Sequence, residues 1–146
     1  MAEQFLIIAK GVRSLSPRLA VGGFFPGANP SQSEWRRLAL DPAVDFMATP
    51  LAYENRGPGC GVGSQSPYCD GFSAMGKVWF DELDTRTLWA GPDNLCYGRP
   101  KTLRDSVDVL WRDAGQMLIR GHSGWWLDFG NSGKPPYSWH LDAEIL

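Results

Sequence analysis

A chain of 146 residues is the size of one domain, large enough for a real core but short of the about 250 residues that a complete α/β barrel uses. The formal net charge is −2 and no run of Lys or Arg forms an electrostatic footprint, which excludes nucleic acid and anionic membranes as natural partners. The longest apolar run, from Phe5 to Ala9, is far too short to cross a bilayer, so the sequence predicts a soluble, cytoplasmic protein; uncharged ligands such as sugars are compatible with that balance.

Phe5, Ile8, Ala9 and Val12 repeat at i, i+3, i+4 and i+7, predicting an amphipathic helix that Ser14 to Pro17 end. Leu19 to Phe25 then reads as a buried strand closed by Pro26-Gly27. Ser31 with Glu34 is a candidate capping box for a second helix, whose apolar stripe is Trp35, Leu38 and Ala39. Ala43 to Thr49 is a second strand, broken by Pro50, and a long loop rich in Gly, Pro and Ser follows to about Met75. Loops of that length in compact domains are usually functional or disordered, and the aromatics and Arg56 within this one favour function.

The third strand, Lys77 to Glu82, is the most informative segment. Alternation puts Val78, Phe80 and Glu82 on one face and Trp79 and Asp81 on the other, so Glu82 leaves the strand beside apolar neighbours. With Asp84 and Arg86 close in sequence, specific partners rather than bulk water tune that carboxylate, as glycoside chemistry requires of an acid. The alternative is a strand-end acid that is merely solvated or paired with Arg86.

Thr102 and Asp105 open the clearest helix, on which Leu103, Val107, Leu110, Trp111, Ala114, Met117 and Leu118 trace one apolar face until Gly121. The fourth strand is Gly124 to Phe129, ending on Asp128, and the tail through Trp139 reads as a loop entering a short helix. Helices alternating with strands predict a parallel sheet with right-handed crossovers. Functional groups of such sheets collect at the strands' carboxyl ends, where Tyr53, Arg56, Glu82, Asp84, Arg86, Asp128 and Trp139 all fall.

Other signals are weaker. Seven tryptophans suit sugar platforms, although most are expected to build core. Cys60, Cys69 and Cys96 lack the short paired spacing of a zinc site, so no metal and no cofactor is predicted; Cys60 and Cys69 share one loop and can pair if oxidised. His122 and His140, the two histidines, lie far apart in sequence with no Ser or Cys set for a triad. Gly57 to Gly63 is glycine-rich without the Lys-Ser/Thr ending of a phosphate loop and reads as a flexible lid.

Taken together, Asp45-Phe46 to Pro50, Tyr53 to Arg56, Gly76-Lys77 with Glu82, Asp84 and Arg86-Thr87, and Gly124 to Phe129 with Trp139 resemble the later strands of β-galactosidase-like clan A glycoside hydrolases. Those enzymes are (β/α)8 barrels with an acid/base Glu after the fourth strand and a nucleophile Glu after the seventh. The resemblance implies that residues 1–146 form one (β/α)4 half of a TIM barrel, corresponding to strands five to eight. It places Glu82 at the nucleophile position, with Tyr53, Arg56, Asp84, Arg86, Trp126, Asp128 and Trp139 around it and the sugar. The segment before Phe5 is too short to carry strands one to four and their acid/base residue.

Four parallel strands cut from a barrel expose two edges and an inner face, which favours a homodimer that closes eight strands about a two-fold axis. In that ring Asp128 of one chain would face Glu82 of the other, as the two carboxylates of a glycosidase; a separation beyond about 10 Å ends that idea. The expected function is therefore a glycoside-hydrolase-related protein with a sugar-binding site and weak or absent glycosidase activity. The alternatives are a carbohydrate-binding module without turnover and a structural or interaction protein derived from an incomplete reading frame.

Overall fold

The computed structural model describes residues 1–25, 32–51, 56–61, 68–90, 98–128 and 138–140, with 143 and 145. The elements run α1 (Ala2–Leu15), β1 (Gly22–Phe24), α2 (Gln32–Leu40), β2 (Phe46–Pro50), α3 (Cys69–Ala74), β3 (Val78–Leu83), α4 (Leu103–Ile119) and β4 (Ser123–Trp126). The four strands form one parallel sheet in the order β1-β2-β3-β4. None of the described helices is long and apolar enough to cross a membrane.

A sequential strand order never reverses direction across the sheet, so right-handed crossovers deliver each helix to the same side. Packing bears this out. Ala2 and Leu6 of α1, Trp35 and Leu38 of α2, and Cys69 and Phe72 of α3 cluster with Met47 and Trp79, which are register partners on one face. Within this cluster Trp35 lies 5.4 Å from Trp79, stacks on Tyr68 and meets Phe72 edge-on, so both tryptophans build the core. Gly124 lies on that face too, opposite Asp81, and a Cβ there would sit 2.5 Å from Met117 Sδ; its absence lets α4 seat on β4.

The opposite face carries Phe24, Phe46, Ala48, Val78, Phe80, Glu82 and Trp125, with no described helix over it. Val78 remains 45% exposed there, and Phe24 and Trp125 are also exposed. Three strand spacings, about 14 Å in a flat sheet, separate β1 from β4. The Phe24 and Trp125 rings nevertheless lie 6.1 Å apart, and Phe46–Phe80 and Phe80–Trp125 continue the contact, so this face is concave.

Several elements depart from the sequence expectation. The first strand is not buried and spans only Gly22–Phe24, because it is an edge paired on one side and uncovered on one face. On α1 the buried stripe is Ala2, Leu6 and Ala9, and Ile8 is exposed with Ile7. On α4 the buried residues are Ser106, Val109 and Asp113, while Trp111 and Leu118 are exposed; α4 turns a polar line inward because that line bonds the loop after β3. The long loop after β2 contains a helix, α3, and β4 is a four-residue exposed edge. The expected start of α4 holds: the Thr102 hydroxyl accepts from Asp105 N at 3.0 Å. The Ser31 half of the capping box and the helix expected in the tail lie outside the described residues.

Candidate functional site

Glu82 is the penultimate residue of β3 and faces the uncovered side of the sheet, between its register partners Pro50 of β2 and Trp125 of β4. It is 7% exposed, and among the described residues its carboxylate has no hydrogen-bond partner. Burial, and after it the charge of Asp84, push its pKa above the ordinary carboxylate value, with Arg56 pulling the other way. This is the electrostatic state of an acid held ready to keep or release a proton.

Just beyond the strand, Arg56 and Asp84 form an ion pair with both side chains 2% exposed. Arg56 also donates to Leu51 O, the residue that follows β2, and so ties the ends of β2 and β3 together. Arg112 of α4 donates to the carbonyls of Arg56 (2.9 Å) and Gly57 (3.1 Å), fixing the start of the glycine-rich segment against the helix. The described part of that segment, residues 56–61, is thus anchored rather than a free lid, and Gly98 packs so tightly on Gly57 that a Cβ on Gly98 would lie 2.5 Å from the Gly57 backbone.

The loop after β3 is fastened by its hydroxyls. Thr85 Oγ1 donates to Asp113, Ser106 Oγ accepts from Leu88 N at 2.9 Å, and Thr87 Oγ1 donates to Trp139 O at 2.6 Å. The Arg86 guanidinium lies over the Trp139 ring, 5.2 Å from its centroid. The structure therefore gathers Glu82, Asp84, Arg56, Arg86 and Trp139 about the carboxyl end of β3. Arg56, Asp84 and Trp139 are all buried, which suits holding the site's shape.

Two predicted residues stand elsewhere. Asp128 accepts from the backbone N–H groups of Trp139 (2.9 Å) and His140 (3.4 Å) and from the Ser138 hydroxyl. Both it and Trp126 border a groove of about 350 Å³ along α4, with Val107, Leu110 and Trp111, on the helix side of the sheet. Glu82 lies on the other side. Asp128 is thereby an anchor for the segment that carries Trp139, and its oxygens are already used. Tyr53 lies outside the described residues.

The fold also assembles a group that sequence spacing hid. His122, just before β4, places Nδ1 3.0 Å from Asp81 Oδ2, while Asp81 Oδ1 accepts from Trp79 Nε1 at 3.0 Å. Cys69 and Asp70, at the start of α3, lie against the same histidine. Fifty-odd residues separate these positions in the chain, so a Cys does stand beside His122 after all. Cys60 and Cys69 form no disulfide with each other, Cys60 being exposed and Cys69 buried; Cys96 lies outside the described residues. No family model, curated protein or solved structure matches this chain.

Proposed function

We propose that this chain is half of a (β/α)8-type barrel related to glycoside hydrolases, and that it binds carbohydrate at the carboxyl ends of its strands around Glu82. The observation that carries the reading is Glu82 itself: a nearly buried carboxyl group at a strand's carboxyl end, its pKa raised by burial and by Asp84, beside the buried Asp84–Arg56 pair. Carboxylates so placed serve sugar hydroxyl recognition and glycosidic proton transfer alike.

Closure by four further strands is supported by what remains uncovered. Parallel sheets are normally covered on both faces, yet here Phe24, Val78 and Trp125 meet solvent on a concave apolar face. Both outer helices continue the pattern: Ile7, Ile8 and Leu15 of α1 beside one sheet edge, and Trp111, Leu118 and Ile119 of α4 beside the other, are exposed. Pairing β4 of one copy with β1 of a second covers both edges and encloses the aromatic face in a homodimer.

Light scattering on micromolar protein is the test of closure, and a discrete dimer that Trp125→Glu converts to monomer is the expected result. A well-folded wild-type monomer overturns it. Calorimetric binding to a panel of oligosaccharides tests the site, with Glu82→Gln and Arg86→Ala each expected to weaken binding. Binding without turnover is favoured over hydrolysis by one specific observation: Asp128, the second carboxylate the dimer would need, is on the helix side and saturated with N–H and O–H donors. Release of aryl aglycone that disappears in Glu82→Gln would reinstate the glycosidase; a glycan panel that stays silent would leave an interaction protein.

A further inference from the structure

We infer that Cys69, Asp70 and His122 form a binding site for a zinc-class divalent cation that pins α3 to the start of β4, a property independent of the carbohydrate reading. Cys69 Sγ lies 3.7 Å from Asp70 Oδ1, His122 Nε2 lies 3.9 Å from the same oxygen, and the three ligand atoms fall within 4.8 Å of one another. A tetrahedral ion with Zn–S of about 2.3 Å and Zn–N or Zn–O of about 2.0–2.1 Å has ligand edges of roughly 3.3–3.6 Å. Side-chain adjustments of about an ångström or less reach that geometry.

The histidine is set up as a ligand before any metal arrives. Asp81 receives the Nδ1 proton of His122 at 3.0 Å and is itself fixed by the Trp79 indole, which selects the tautomer whose Nε2 carries a lone pair. Among the described residues that Nε2 is buried without a hydrogen-bond partner, on a residue only 6% exposed, and it points toward the Asp70 carboxylate. A buried polar atom left unpaired in an otherwise satisfied network calls for a partner, and a carboxylate behind a liganding histidine is the arrangement that orients imidazole on zinc.

The remaining donors decide the cation. A thiol sulfur with an imidazole nitrogen and one carboxylate favours Zn²⁺ or Co²⁺ over Mg²⁺ or Ca²⁺, which prefer all-oxygen shells. Binding converts the Cys69 S–H to a thiolate, the sulfur lone pair goes to the metal, and the proton leaves to solvent. Asp70, 70% exposed, provides the entry side and room for water as fourth ligand. Arg120 now occupies that side, donating to both Asp70 oxygens at 2.8–2.9 Å and lying 3.7 Å from Cys69 Sγ. Its guanidinium stands where the cluster needs positive charge and gives way when the ion takes that place. Cys69 is 1% exposed, which leaves no approach for a substrate and separates the group from a cysteine nucleophile.

The test is a Co²⁺ titration of chelator-treated full-length protein followed by absorption. Expected are a thiolate-to-cobalt charge-transfer band and the intense visible bands of four-coordinate cobalt, saturating at one ion per chain, bleached by Zn²⁺ and untouched by Mg²⁺. Cys69→Ser removes the charge-transfer band, Asp81→Asn weakens binding by about 10–100-fold, and Arg120→Gln binds at least as tightly as wild type. Should Cys69→Ser fail to fold, the Cys60→Ser/Cys96→Ser variant decides alone, because the band must persist when Cys69 is the sole thiol. Absence of the band in the wild type, its loss in that double variant, or its survival in Cys69→Ser overturns the site.

Discussion

Removing Arg56 tests the electrostatic frame around Glu82. In Arg56→Met the Asp84 carboxylate stays 2% exposed and loses its guanidinium partner, and Leu51 O loses a donor. Breaking a buried pair from one side costs about 3–5 kcal/mol, because the remaining charge is held out of water without compensation. For a domain of this size that is a fall in Tm of roughly 10 °C or more, and a large part of a total stability of about 5–15 kcal/mol. Urea unfolding followed by circular dichroism, at constant m-value, measures it. The double variant Arg56→Met/Asp84→Leu removes both charges and should recover most of the loss, since apolar replacements of a buried pair are often neutral. A loss below about 1 kcal/mol in Arg56→Met, the range of a solvent-screened surface pair, or a double variant no better than the single one, would refute the reasoning. The stable double variant should still lose oligosaccharide binding, because Glu82 then has neither its bracing charge nor its opposing one.

Further outcomes follow from single contacts. Glu82 has a folded-state pKa raised above its ordinary 4.5, so wild-type stability falls as pH rises from about that value through the raised one; Glu82→Gln should therefore unfold at higher urea than wild type at pH 7, with the difference vanishing at pH 4 and below. Asp128→Ala removes the carboxylate that accepts from the Trp139 N–H and the Ser138 hydroxyl, while the His140 N–H keeps Ser138 Oγ at 3.1 Å; it should cost about 1–3 kcal/mol and make residues 138–140 sensitive to protease, read by denaturation and limited proteolysis. Gly98 has φ of +66° and its Cβ would lie 2.5 Å from the Gly57 backbone, so Gly98→Ala should destabilise by about 1–3 kcal/mol or more in the same unfolding assay.

The class of fold was legible because its signals are local. Alternation in Val78-Trp79-Phe80-Asp81-Glu82 assigned the strand and split its faces, and the Thr102–Asp105 cap with Gly121 bounded α4. Periodicity also found the buried stripe of α2, where Trp35, Leu38 and Ala39 all enter the core, but it misled on α4. On α4 the apolar line Val107, Leu110, Trp111 and Ala114 borders an open groove, and the buried line Ser106 and Asp113 is polar because it receives hydrogen bonds from the loop after β3. No window of sequence contains those partners.

The same division holds for function. Sequence by itself determined that a carboxylate would emerge from an apolar strand at Glu82, with Asp84 and Arg86 close behind it, since strand alternation and short spacing act over a few residues. Only the tertiary structure decided that Glu82 and Asp128 stand on opposite sides of the sheet, that Arg56 belongs to Asp84, and that His122 meets Cys69, Asp70 and Asp81. These are contacts between positions some 28 to 53 apart, such as Arg56 with Asp84 and Cys69 with His122, and they arise from crossovers that stack consecutive strands in order. Burial then turns proximity into chemistry, because charges and lone pairs removed from water must answer to their neighbours.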